Sequence, residues 1–277
     1  MGELTIDSGG VRLSADEARG EAGDERSEAG GIPVVLLHGL TATRRYVVMG
    51  SRNLERGGHR VVAYDARGHG RSGPGPEYGY EALAADLLAV LDDRGIDRAV
   101  LAGASMGAHT LLRLALEHPE RAAALVLITP AFDPGGDGRD LERWDALSRG
   151  LREDGVEGFL AAYGEPRVPE QWRDTVRTVL RQRLSAHEHP DAVADALREV
   201  PRSRAFESWD ELGALDLPVT VVASRDEADP EHPYAIGERY AAAIPGAGLV
   251  SEEPGSSPLA WQGGRLSRVI AETAARA

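Results

Sequence analysis

The chain is 277 residues long, carries a formal charge of −14, has no cysteine, and draws all 31 of its basic residues from arginine. These counts exclude a Schiff-base or P-loop lysine, a thiolate nucleophile, disulfides and cysteine-based zinc sites. Serine, threonine, tyrosine, carboxylates, arginine and eight histidines remain for polar catalysis. The acidic balance argues against a nucleic-acid face, which needs clustered positive charge, and the arginines, interleaved with acids, read mostly as solvated surface partners. No apolar run approaches the roughly 18 residues that span a bilayer. The N-terminal MGELTIDSGG lacks the basic start and apolar stretch of a signal peptide. A soluble, cytoplasmic protein without a membrane or nucleic-acid partner is therefore expected, with homodimerisation left open.

In chain order, Leu4–Asp7 and Val11–Leu13, joined through Gly9-Gly10, predict a β-hairpin. Residues 16–31 hold no aromatic or β-branched side chain until the last glycine and read as a mobile loop. The apolar runs Val34–Leu37, Arg60–Tyr64, Ala99–Ala102, Ala124–Ile128 and Val219–Ala223 predict strands buried on both faces. Between them, apolar periodicity near 3.6 predicts helices over Tyr80–Arg94, Met106–His118 and Tyr234–Ile244. Leu249–Ser251 reads as a last strand and Pro258–Ala277 as a last helix with proline in its first turn. This alternation implies an α/β fold with a mostly parallel, doubly wound sheet.

The alternation breaks after Thr129. A Gly/Pro/Asp loop at 130–140 is followed only by helical patterns, around Leu141–Arg152, Val156–Tyr163, Gln171–Leu184 and Asp191–Val200. Helices inserted there would lie above the carboxyl ends of the strands, where ligands bind. The expected division is a core of residues 1–130 and 206–277 with a helical cap over 131–205.

Three motifs carry chemistry. Gly103-Ala104-Ser105-Met106-Gly107 places a G-x-S-x-G between a buried strand and a helix, the context in which a serine hydroxyl is lifted from the sheet on a strained turn. His38-Gly39-Leu40 follows the strand at Val34–Leu37, where the Leu40 and Met106 N–H groups could serve as two oxyanion donors. Asp65-Ala66-Arg67-Gly68-His69-Gly70-Arg71-Ser72 forms a glycine-rich turn after the next strand. Together, and at this spacing, they make the chain from residue 32 onward resemble the α/β-hydrolase fold family.

That resemblance implies that Ser105 is the nucleophile and that the catalytic acid follows the strand after the cap. In Ser224-Arg225-Asp226-Glu227-Ala228-Asp229-Pro230 the family's D-x-x-x-P spacing selects Asp226, with Asp229 second. The family's histidine, usually in a G-H after the last strand, is missing: Gly255 is followed by Ser256, and no histidine occurs beyond His232. A serine without a base is a poor nucleophile. His232, on the loop beside the missing histidine, is the candidate replacement, although it could simply open the next helix. His38 is expected to order its own turn. His109, one turn after Ser105, faces either core or pocket, and His59, His69 and His118 read as structural. His187 and His189 could reach over the site, but HEHP more often makes a solvated helix end. Metal ligation there lacks suitable spacing.

Asp226 and Asp229 could also be loop-forming carboxylates, and Asp65 reads as structural, pairing with Arg67 or capping backbone N–H groups. Trp144, Phe159, Tyr163, Trp172, Phe206 and Trp209 fall in or beside the cap and are read as its core, with one or two lining an apolar pocket. The leading expectation is a cofactor-free, metal-free hydrolase of small esters, thioesters or lactones, acting through Ser105 on a substrate with an apolar acyl or ring portion. The rivals are a catalytically degenerate small-molecule binder and a non-hydrolytic lyase, isomerase or cyclase using the same pocket.

Overall fold

The computed structural model describes residues 2–20, 31–136, 140–225, 229–254, 261 and 263–277. Its centre is an eight-stranded sheet: β1 (Gly2–Ser8), β2 (Val11–Ala18), β3 (Gly31–Leu37), β4 (His59–Tyr64), β5 (Ala99–Ala104), β6 (Ala122–Ile128), β7 (Val219–Val222) and β8 (Gly248–Val250). The spatial order is β1-β2-β4-β3-β5-β6-β7-β8. The β1–β2 and β2–β4 pairs are antiparallel, and every later pair is parallel. Strands β3, β5, β6 and β7 are the continuous apolar runs of the sequence, and helices cover them on both faces. The helices α2 (Tyr80–Asp93), α3 (Met106–Glu117) and α7 (Tyr234–Ala243) pack on one face, α1 (Asn53–Arg56) and α8 (Gly263–Ala274) on the other. This is the arrangement that lets parallel strands be apolar on both sides.

Between β6 and β7 the chain makes three helices, α4 (Leu141–Tyr163), α5 (Glu170–Leu184) and α6 (Pro190–Glu199). α4 is broken at Asp154 and Gly155, where the glycine takes φ 58°; the two helices expected there are its two halves. Leu147, Leu151, Phe159, Leu184, Val193 and Leu197 give this insertion a core of its own. Leu40 packs against both that core and the main one. Phe206 and Trp209 instead pack on Tyr240 of α7. Among the described residues, no helix is long and apolar enough to cross a membrane.

Some expectations are amended. The segment 16–31 is not all loop: β2 runs on to Ala18 and pairs with β4, while residues 21–30 lie outside the described set. Its acids are tolerated in a strand because each meets arginine, Asp16 bonding Arg44 and Glu17 bonding Arg60 and Arg94. The last helix is described over Gly263–Ala274, and its expected start at Pro258 lies outside the described residues. Asp65 takes the second of its two expected roles, capping the N–H groups of Arg44 (2.8 Å) and Arg71 (3.1 Å), and its ion pair is with Arg44 instead of Arg67. Arg67 is itself buried, forming two 2.8 Å bonds to the buried carboxylate of Asp86 on α2.

Candidate active site

Strand β5 ends at Ala104, and Ser105 turns the chain into α3 with φ 49° and ψ −112°. The two glycines of the motif are required by contact. A Cβ on Gly103 would lie 2.4 Å from the carbonyl carbon of Gly107, and one on Gly107 would lie 2.4 Å from the Leu37 carbonyl oxygen. The elbow is thus pressed onto the end of β3. Gly39 touches it from the other strand, since a Cβ there would meet the Ala104 oxygen at 3.3 Å and the Ser105 Cβ at 3.4 Å. Backbone bonds from Ser105 N to the Ile128 oxygen (2.9 Å) and from His109 N to the Ser105 oxygen (3.1 Å) hold the turn in place. Leu40 and Met106 follow directly on the two contacting segments.

The loop carrying Leu40 is braced by two histidines with the same polarity. His38 donates from Nδ1 to the Gly39 oxygen (2.8 Å) and accepts the Ala66 N–H at Nε2 (2.9 Å). His187, between α5 and α6, donates from Nε2 to the Thr41 oxygen (3.0 Å) and accepts the Gly70 N–H at Nδ1 (2.8 Å). His69 lies between them, its ring 5.2 Å from His38 and 5.5 Å from His187. Burial holds all three imidazoles below their usual pKa, His187 at about 4, and the repulsion of its two neighbours adds to the lowering of His69. They are neutral props, and HEHP clasps the loops after β3 and β4 through Thr41 and Gly70.

His109 is also committed. Its Nε2 accepts the N–H groups of Ala131 and Phe132, both at 3.1 Å, and Nδ1 bonds the Tyr80 hydroxyl at 2.9 Å. Burial, with the nearby His232 adding to it, pushes its pKa down to about 3.

His232 bonds Asp229 through Nδ1, 2.8 and 2.9 Å from the two carboxylate oxygens. Burial raises the Asp229 pKa, but the His232 imidazole and the Arg183 guanidinium outweigh it and hold the carboxyl below the usual range. Asp226, chosen by spacing, lies outside the described residues, as does Ser256. The sequence reading passed over Arg183 altogether, because nothing in its neighbourhood marks one arginine of a basic helix face as turned inward. Among the described residues, no three or more His, Cys, Asp or Glu side chains are grouped to hold a metal ion.

Comparison with known proteins identifies the fold. The family model for the alpha/beta hydrolase fold matches residues 32–225. A putative carbamate hydrolase, RutD, of Variovorax paradoxus is 30% identical over 203 residues, covering 72% of this chain and 76% of that protein. A 2-hydroxy-6-oxononadienedioate/2-hydroxy-6-oxononatrienedioate hydrolase of Cupriavidus pinatubonensis is 28% identical over 238 residues, 79% of this chain and 78% of its own. Among solved structures, a thermophilic esterase from Thermogutta terrifontis superposes with a TM-score of 0.73 at 26% identity, covering 99% of this chain and 96% of the esterase. With the strand order, the elbow and the family match in agreement, this chain belongs to the α/β-hydrolase fold family.

Proposed function

We propose that the chain is a cofactor-free serine hydrolase of small carboxylic esters, thioesters or lactones. The observation that carries this reading is the backbone of Ser105, φ 49° and ψ −112° between a buried strand and a helix N-terminus. Such backbone costs about 1–3 kcal/mol and persists where the surroundings enforce it. Ser105 Oγ attacks the acyl carbon. The N–H groups of Leu40 and Met106 hold the oxygen that becomes negative, and the N-terminus of α3 favours that charge. Family membership, and relatives named for carbamate, dienedioate and ester hydrolysis, support hydrolysis as the reaction class.

His232 is the proposed base. With Nδ1–H committed to Asp229, its Nε2 carries the lone pair that takes the Ser105 proton and returns it to the leaving group; water then opens the acyl-enzyme by the same route. Asp229 is the carboxylate proposed to orient it, in preference to Asp226. The insertion over 141–199 serves as a cap, and Leu40, packed between its core and the main one, supports an apolar acyl or ring portion in the substrate.

A fluorophosphonate probe tests the reading, because it labels only an activated serine. Rapid labelling of the wild type, lost in Ser105→Ala, is expected. No labelling of either protein, with ligand-induced thermal stabilisation intact, would replace the hydrolase with a small-molecule binder.

A further inference from the structure

The two faces of the sheet are covered unequally. On one face α2 has 14 residues, whereas α1 on the other has four, Asn53–Arg56. Beside that short helix a cavity of about 460 Å³ lies between the sheet and the segment 43–55. Its apolar walls are Leu36 of β3, Val61 and Ala63 of β4, and Val48 and Leu54 of the covering segment. None of Ser105, Asp229 and His232 lines it.

Glu55, the third residue of α1, lines this cavity and is only 4% exposed. Its Oε2 is buried without a hydrogen-bond partner, and no hydrogen bond or ion pair joins the carboxylate to any described residue. A carboxylate taken out of water in this state is costly. The other charges on the walls are placed differently. Arg44 bonds Asp16 and Asp65, and Arg71 bonds Glu3 and Glu188. Arg45 is exposed to solvent. The buried charge left without a partner is therefore negative, and what the cavity lacks is a cation.

We infer that this cavity is a binding site for a small organic cation, a primary ammonium on an apolar body. Glu55 takes the charge, and the walls formed by Leu36, Val48, Leu54, Val61 and Ala63 take the body. An ammonium carries three N–H donors and no acceptor, so it can serve the carboxylate without presenting a lone pair of its own. Charge-assisted bonds of this kind are the strong ones, the more so between apolar walls. The volume falls in the range of small-molecule sites, about 300–1,000 Å³. The site does not depend on the hydrolase reading, since it shares no residue with the proposed serine, base or acid.

Isothermal titration calorimetry at neutral pH with 4-phenylbutylammonium, 4-phenylbutanol and 4-phenylbutyrate tests it, because the three probes share an apolar body and differ in the end group. The wild type is expected to bind the ammonium about ten- to hundredfold more tightly than the alcohol, the range for a hydrogen bond to a charged group, and the butyrate more weakly than either. Glu55→Gln should abolish the advantage of the ammonium. Ala63→Leu, which narrows the cavity and leaves Glu55 in place, should weaken both the ammonium and the alcohol. A wild type that does not prefer the ammonium, or a preference that survives Glu55→Gln, overturns the inference. Tightest binding of the butyrate would assign the cavity to its arginines and overturn it as well. Thermal melts of the free proteins separate a binding role from a structural one. Removing an unpaired buried charge should leave the melting temperature of Glu55→Gln at or above that of the wild type. A clear fall would mean that Glu55 already has a partner within the folded chain, and the inference would fail.

Discussion

His187 Nε2 donates to the carbonyl of Thr41 at 3.0 Å, so a side chain from the helical insertion holds the loop that bears Leu40. The other ring nitrogen accepts the Gly70 N–H, which ties insertion, loop and glycine-rich turn through one imidazole. If the Leu40 N–H is an oxyanion donor, its aim depends on this clasp. His187→Ala is expected to lower kcat by about 10- to 100-fold with little change in KM, somewhat less than outright loss of an oxyanion donor. Steady-state kinetics on one ester checks it, and an unchanged kcat would remove His187 from any positioning role.

The buried histidines make a pH prediction. His38, His69, His109 and His187 all have folded-state pKa values below the ordinary imidazole value of 6.5, His187 at about 4 and His109 at about 3. Between those values and 6.5 the unfolded chain binds protons that the folded chain refuses, so folding stability rises with pH there and is lost as pH falls. Each imidazole contributes up to about 1.4 kcal/mol per pH unit within its window. Urea midpoints should therefore drop steadily from pH 6.5 to pH 4.5, and less steeply in His187→Gln. A flat profile over that range would contradict the neutral, buried state of these rings.

The Asp229–His232 pair is open to direct comparison with Asp226. His232→Ala is expected to cost at least about 1000-fold in kcat, and Asp229→Asn, which disturbs the tautomer, about 100- to 10,000-fold. Asp226→Asn should cost much less. The reverse order would return the orienting role to Asp226. In the His232→Ala background, Ser256→His tests whether a base at the family's usual position restores the lost turnover.

A fourth prediction concerns stability alone. Arg67 and Asp86 are buried and doubly hydrogen bonded. Removing one partner strands the other charge, so Arg67→Ala should destabilise by about 3–5 kcal/mol. Replacing both by apolar residues of similar volume should recover most of it. Chemical denaturation of the single and double variants measures both.

Much of this molecule was legible in the order of its residues. Continuous apolar runs at β3, β5, β6 and β7 can be satisfied only inside a two-sided α/β sheet, and Gly103, Ser105 and Gly107 between a strand and a helix define the elbow, because only such a spacing brings Gly107 against Leu37. Both rest on local periodicity and on backbone contacts between neighbouring elements, which short sequence windows encode. The extent of β2 was not legible, since Asp16 and Glu17 look like loop residues until Arg44, Arg60 and Arg94 arrive from elsewhere in the chain. The same holds for most of the histidines. The role of His38 in ordering its own turn was legible, but only folding turned His187 into a second prop, occupied both nitrogens of His109, and set His232 against Asp229. It also left Arg183 buried without a hydrogen-bond acceptor at Nε. Protonation, burial and pairing are properties of three-dimensional neighbours many residues apart, so the sequence by itself determined the scaffold and the serine elbow, and the tertiary structure decided which imidazoles were committed to structure.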